Sequence, residues 1–450
     1  MSIRVAGNVC PGNALLKEEW GMAALTLTGL AALLLWSLVS HRFERWGVPG
    51  PVVLILLGAV STVWDLPAYA AVIDAPSSEK VVEVILAIIL FVDATEVQGG
   101  IFGRDPRVLL RLVLIGLPIS LILAALASVI LIPESFLVTV VIACVIMPTD
   151  FAPASRILRL RRLPARMRDI LNVESGYSDG LVSPLFGMAL PIAVAVATEM
   201  PATSGDSAVT VDSAHLQKTV NAFLNAVPAT VIAILVGVVL GGLVGAAVRI
   251  LHRRGVANDA GVRVAMLLLP LISYGVATIP IFNANGFVAA FVAGLMYRIV
   301  RTKGQSERTI AHSELMLVDE IGVLATNVVW FMLGGAALLA FTTAFDWRVL
   351  VLAILALTVL RIVPVYLSLL GKSVSRRDRV LIGALGPRGT ATIVFGLLAY
   401  NALPNEEGDL VLVISVVTVV GSVLLHGVLA PIMLRRMDPA DTVTRAELEQ

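Results

Sequence analysis

VIMPTDFAPASRILRLRRLPARMRDILNVESGYSDG, residues 145–180, decides how the rest of the chain is read. Two strongly apolar segments meet here across a loop of six arginines (Arg156, Arg159, Arg161, Arg162, Arg166 and Arg168). Each segment carries carboxylates at a depth where a bilayer is dry. Asp150 follows Pro148-Thr149 near the middle of the first, and Glu174 and Asp179 lie in the first half of the second. An ionisable side chain inside hydrocarbon costs enough to be read as functional by default.

Composition supports a membrane setting. The chain is 58% hydrophobic and only 14% charged, against about 25% charged in soluble domains, and apolar stretches long enough to span a bilayer recur throughout. Cys10 and Cys144 are far apart, so neither a disulfide framework nor a metal cluster is indicated, and both read as packing residues. His41, His215, His252, His312 and His426 show no metal-ligand spacing. No cofactor and no nucleic-acid partner are expected. The first apolar run, 21–40, is long for a signal peptide and is followed by His41-Arg42-Phe43-Glu44-Arg45, which predicts a retained helix.

Thirteen apolar segments are expected to be helices, at roughly 21–40, 48–64, 81–98, 108–131, 136–155, 170–198, 217–248, 263–282, 286–300, 317–341, 348–370, 380–402 and 410–434. Loops after odd-numbered segments are rich in arginine, as at Arg42/Arg45, Arg104/Arg107, Arg253/Arg254 and Arg376/Arg377. Those after even-numbered segments are acidic or neutral, as at Asp65/Asp74, Glu134, Asp346 and Glu406/Glu407. The positive-inside rule then puts the N-terminus outside and the C-terminus in the cytoplasm. Residues 305–320 are amphipathic and are expected to lie along the cytoplasmic interface. The loop 199–215 is Ser/Thr/Asp-rich, and 437–450 reads as a short polar tail.

Two segments are interrupted deep inside. The fifth has Pro148-Thr149-Asp150 with Pro153, and the twelfth has Gly386-Pro387-Arg388-Gly389. They lie an odd number of segments apart and so cross in opposite directions. Matched breaks in two inverted halves point to a transporter's binding site, because unwound backbone at that depth must line a cavity or be buried in protein. The intramembrane ionisable residues are Asp93, Glu96, Asp150, Glu174, Asp179, Arg361 and Arg388. Ser175 and Asp179 share a helix face, whereas Glu174 and Asp179 are about 140° apart around the helix. Asp179 with Ser175 is therefore expected to face the cavity. Glu174 turns into the protein and needs a cation, with Arg361 or Arg388 as candidates. Asp150 and Asp179, with the Thr149 carbonyl and the Ser175 hydroxyl, would form an oxygen site for a small hard cation such as Na⁺. The same carboxylates bind protons, so one site would serve both ions in competition. Asp93, in LFVDATE, approaches as a further ligand or gate, while Glu96 reads as an interfacial charge near Arg104 and Arg107.

At these motifs the chain resembles the NhaP-type monovalent cation:proton antiporters. The resemblance is carried by LFVDA in the third segment, PTD in the fifth, LPARMRDILNVESGYSDG in the sixth and NGFVAAFVAGL in the ninth. It continues through RIVPV in the eleventh, GPRG and TATIVF in the twelfth, and SVLLHGVLAP in the last. It implies that Asp179 is the ion-carrying aspartate, that Asp150, the Thr149 carbonyl and Ser175 are ligands, and that Asp93 is the third-segment acidic position. It also makes Glu174 the ion-paired glutamate with Arg361 as partner, and Arg388 the arginine that compensates charge at the crossed helices. Ser178 stands where the family usually has Asn. A neutral residue there implies electroneutral one-for-one exchange, and the shorter side chain is expected to bond differently to the broken helices. Phe151 stands where small residues or proline are usual.

The fold class implied is all-α and polytopic, with inverted repeats and crossed broken helices in segments 5 and 12. The membrane domain would span 1–436. Its core is formed by 108–198 and 348–434, and its dimerisation bundle by 21–98 and 217–341. Expected partners are Na⁺ (or Li⁺ or K⁺), H⁺, the lipid bilayer of the plasma membrane and a second copy of the chain, with elevator-like alternating access. A K⁺/H⁺ antiporter or an organic-ion transporter on the same fold, and a non-coupled channel or ion sensor, are the other classes. An intramembrane aspartyl protease is further off, since its GxGD-type motif is replaced by SGYSDG around Asp179. The carboxylate set favours a bare cation and a transporter over an enzyme.

Overall fold

In the computed structural model the described residues are 11–96, 105–132, 134–154, 157–158, 163–197, 213–304, 310–341, 346–371 and 374–430. Among them regular structure is helical throughout, with no strand. The chain runs through α1 (Pro11–Trp46), α2 (Gly50–Thr62), α3 (Leu66–Ile73), α4 (Pro76–Glu96) and α5 (Pro106–Leu131). Then come α6 (Phe136–Ile146), α7 (Ala165–Ala197), α8 (Ser213–Arg253), α9 (Asp259–Thr278), α10 (Gly286–Arg301) and α11 (His312–Phe341). The last five are α12 (Trp347–Leu357), α13 (Val359–Ser368), α14 (Arg376–Ala384), α15 (Thr390–Ala402) and α16 (Asn405–Ser422).

Among the described residues, eight helices are long and apolar enough to cross a membrane, or nine when α2 and α3, bent by 115°, count as one span. Large apolar side chains stand exposed along α1 (Leu34 63%, Leu38 75%) and α8 (Leu243 64%). Water would penalise such patches and hydrocarbon would solvate them. The protein is a polytopic all-helical membrane protein.

The described helices overlap the expected apolar segments, whose residues 97–98, 155, 198 and 431–434 lie outside the described ones, and two details differ from expectation. Residues 312–320 are not a separate surface helix; they are the first turns of α11, which continues to Phe341. The eleventh segment is broken at Thr358 (φ −126°, ψ −94°), between α12 and α13. Neither Pro nor Gly marks that point, and the Thr358 hydroxyl turns back to the Ile354 carbonyl at 2.6 Å, a bond that competes with the helical ladder. π-helical turns occur at Leu112–Gly116 inside α5 and at Val423–Leu429 after α16; such bulges often sit at functional sites. Cys10, Arg104, most of the arginine loop, 199–212 and the tail 437–450 lie outside the described residues; Cys144 is buried.

The interrupted elements occupy the middle of the protein. α6 is capped by Ser135, whose side chain accepts the Val138 N–H. Met147 keeps helical backbone (φ −95°, ψ −24°) and donates to the Ala143 carbonyl, and the ladder ends at Pro148, which has no N–H to continue it. α15 is buried on all sides from Thr390 to Tyr400, which is what an all-round apolar helix requires. It packs against α6, α16, α7, α4 and α11. Ile142, Val145 and Ile146 of α6, Ile393, Val394 and Phe395 of α15, and Ile414 and Val419 of α16 share one core cluster. This core holds the two breaks, 147–151 and 385–389, against each other.

Candidate ion site

Breaking a helix in a dry interior strands N–H and C=O groups, and each must find a partner. Here neighbouring side chains and the opposite break supply them. The Asp150 N–H donates to the Pro387 carbonyl at 2.9 Å, which joins the two breaks directly. The Thr149 N–H donates to Ser178 Oγ at 2.9 Å, and the Thr149 carbonyl accepts the Ser175 hydroxyl at 2.6 Å. Both serines come from α7, one turn apart. The Thr390 N–H donates to Asp150 Oδ2 at 2.5 Å, and the Arg388 N–H to Ser422 Oγ at 2.6 Å.

Charge is distributed by the same geometry. The Arg388 guanidinium donates to the carbonyls of Met147 (2.5 Å), Pro148 (3.0 Å) and Ala356 (3.1 Å). It therefore sits at the negative, carbonyl end of α6, where a cation is stabilised. Asp150 sits at the positive, amide end of α15 and acts as its cap. Oδ2 of Asp150 is thus committed to the helix end.

The Glu174 carboxylate is held two-pronged by Arg361, with Nη1 to Oε1 at 3.1 Å and Nη2 to Oε2 at 2.9 Å, and both side chains are about 5% exposed or less. Of the two candidate partners, the geometry gives Glu174 to Arg361. Thr149 Oγ1 also reaches Glu174 Oε2 at 3.5 Å, so the pair is linked to the break. Arg361 owes its position to Gly386: a Cβ there would lie 1.7 Å from Arg361 Nε. Gly386→Ala is expected to crowd the Arg361 side chain beside Glu174 and to cost about 1–3 kcal/mol by overpacking, read as a lower melting temperature in detergent. An unchanged melting temperature would mean that the arginine has another place to go.

Asp179 is buried, with Oδ1 accepting the Ser178 hydroxyl at 3.3 Å. Asp93 lies beside Gly176 of α7, where a Cβ would stand 3.4 Å from the Asp93 Cβ. Asp150 and Asp179 are thus linked through Thr149 and Ser178, and Asp93 of α4 packs against α7 at Gly176, one turn from Asp179. Glu96 is exposed at the end of α4. Among the described residues no group of three His, Cys, Asp or Glu side chains is arranged to hold a resident metal.

Sequence reasoning placed Ser178 at the broken helices without naming its partner, and it did not single out Ser422 or His426. Ser178 caps the Thr149 amide and shares a 3.1 Å contact with Thr149 Oγ1. Ser422 takes the Arg388 amide, and His426 lies beside it. Their signal was present in SVLLHGVLAP, where Ser422 and His426 are four residues apart and share a face.

Residues 29–436 match the family profile "Sodium/hydrogen exchanger, transmembrane". The chain is 25% identical over 399 residues to the Na⁺/H⁺ antiporter NhaH of Halobacillus dabanensis, covering 86% of this chain and 92% of that protein. It is 27% identical over 377 residues to the NhaH of Halobacillus aidingensis, covering 82% and 87%. The structure is similar to the sodium proton antiporter MjNhaP1 of Methanocaldococcus jannaschii at pH 8, with a TM-score of 0.69 and 18% identity over 90% of this chain and 99% of that one. At that identity the likeness concerns the fold.

Proposed function

The chain belongs to the sodium/hydrogen exchanger family, and from that premise we propose that it exchanges Na⁺ for H⁺ one for one across the plasma membrane. The observation that carries this reading is the link of Asp179 through Ser178 to Thr149, next to Asp150, beside the Thr149 carbonyl and the Ser175 hydroxyl, with Asp93 packed on the same helix at Gly176. Asp179 carries the ion, and Asp150, the Thr149 carbonyl and the Ser175 hydroxyl complete an oxygen shell of the kind hard cations prefer. A proton on Asp179 excludes the cation, and a bound cation excludes the proton. That competition couples the two fluxes without a separate proton path. Asp93, on α4, closes the site from the side opposite the breaks.

Thirteen crossings with the N-terminus outside follow from the alternation of arginine-rich and acidic loops. Segments 4–6 and 11–13 form the moving core, and segments 1–3 and 7–10 the dimerisation bundle of a homodimer. The breaks between α6 and α7 and between α14 and α15 are the crossed pair of two inverted halves, and their mutual hydrogen bond supports this reading. Elevator-type access would carry the α6–α7–α15 unit past α4 and α10.

The test uses proteoliposomes loaded with a pH dye, to which Na⁺, K⁺ or Li⁺ is added in turn, with and without a potential clamp. A Na⁺-dependent proton flux that the clamp leaves unchanged is the expected result. A flux with K⁺ alone would reassign the cargo, and no flux with any of the three would overturn the antiport reading. Ser178→Asp adds a second charge next to Asp179 and is expected to make exchange respond to membrane potential. A variant that stays potential-independent would remove residue 178 from control of stoichiometry.

A further inference from the structure

We propose that Ser422 and His426 form a clamp that sets the position of the α14–α15 break, and that through it they act as positioning residues for ion binding. This rests on the exchange reading above and adds two residues to it. Both side chains are buried, at 0% and 1% exposure. His426 Nε2 lies 3.0 Å from the Ala384 carbonyl, on the last residue of α14, and Nδ1 lies 3.3 Å from Ser422 Oγ. Ser422 Oγ in turn accepts the Arg388 N–H at 2.6 Å. The bonds have one consistent direction. Nε2–H donates to the carbonyl, which leaves Nδ1 to accept the serine hydroxyl, which leaves the hydroxyl oxygen to accept the amide.

The clamp holds both sides of the interruption, Ala384 before it and Arg388 within it. Between and beside these anchors lie the Pro387 carbonyl that takes the Asp150 N–H and the Thr390 N–H that takes Asp150 Oδ2. The Arg388 guanidinium reaches the Met147 and Pro148 carbonyls from the same point. Neither Ser422 nor His426 is placed to touch the cargo; they fix the backbone that aims Asp150. The π-turn beginning at Val423 puts His426 four residues past Ser422 while widening the helix there, so its ring can reach Ala384 as well as Ser422. Partners one shell outside an ion site typically shift affinity by about 10–100-fold when removed.

Ser422→Ala, Ser422→Thr and His426→Gln are compared in proteoliposomes for the concentration dependence of Na⁺-driven proton flux. Hydrogen–deuterium exchange of peptides covering 385–390 is followed in parallel. Ser422→Ala is expected to raise the apparent KM for the cation by about tenfold with a smaller change in maximal rate. Ser422→Thr, which keeps the hydroxyl, is expected to restore it. Deuterium uptake should rise at 385–390 in Ser422→Ala and, through Ala384, in His426→Gln. Unchanged uptake at 385–390 would overturn the clamp. Raised uptake with an unchanged KM, or a loss of flux that only follows the loss of folded protein, would reduce it to a structural contact and overturn the positioning role. If the parent itself shows no cation-driven flux, the antiport reading fails, and the clamp is judged by the exchange data alone.

Discussion

Asp179→Asn is expected to reduce cation-driven proton flux to the level of protein-free liposomes while leaving the fold intact. Asparagine matches aspartate in shape and can still accept the Ser178 hydroxyl, whose contact to Asp179 Oδ1 is 3.3 Å. It has no negative charge to neutralise a cation and no proton to give up at working pH. Asp179 is buried, and a buried carboxylate is costly when charged, so a neutral side chain of the same shape should not lower stability. Flux assays and thermal unfolding of the same preparation separate the two effects. Antiport at the parental rate would remove Asp179 from the carrier role, and a collapsed melting temperature would make the loss of flux uninformative about chemistry.

Local features were legible in the sequence and distant pairings were not. Pro148 and Pro387 mark the two interruptions because proline removes an N–H and restricts its neighbour, effects that act within a few residues. The apolar segments were legible because hydrocarbon demands long runs of one character. The face shared by Ser175 and Asp179 follows from helical period alone. What period cannot say is which hydroxyl meets which stranded amide. Ser178 was noted as a family departure beside Asp179, yet its oxygen accepts an amide 29 residues earlier in the chain. Helix period left Arg361 and Arg388 both open for Glu174, and the resemblance alone pointed to Arg361: both arginines are apolar-segment cations, and packing places one at the carboxylate and the other at the end of α6. The break at Thr358 has no local punctuation, and it moves the start of α13, which carries Arg361.

Those two arginines lead to the second large effect. Glu174→Gln is expected to cost about 3–5 kcal/mol, because it leaves the Arg361 guanidinium charged and buried with its counter-charge removed. Glu174 and Arg361 are both sealed from solvent, and both carboxylate oxygens are engaged. Glutamine can still accept one hydrogen bond but cannot balance the charge. The penalty should appear as a melting temperature lower by many degrees, with the surviving folded protein still exchanging ions. The double variant Glu174→Gln/Arg361→Met removes the stranded charge as well, and it should recover part of the loss, since a buried pair replaced by neutral groups is often close to neutral in stability. Recovery in the double variant would assign the energy to charge pairing and not to the shape of either side chain. A Glu174→Gln protein that is thermally stable but inactive would contradict this assignment. The Thr149 Oγ1 contact to Glu174 would then be the route by which residue 174 joins the ion path directly.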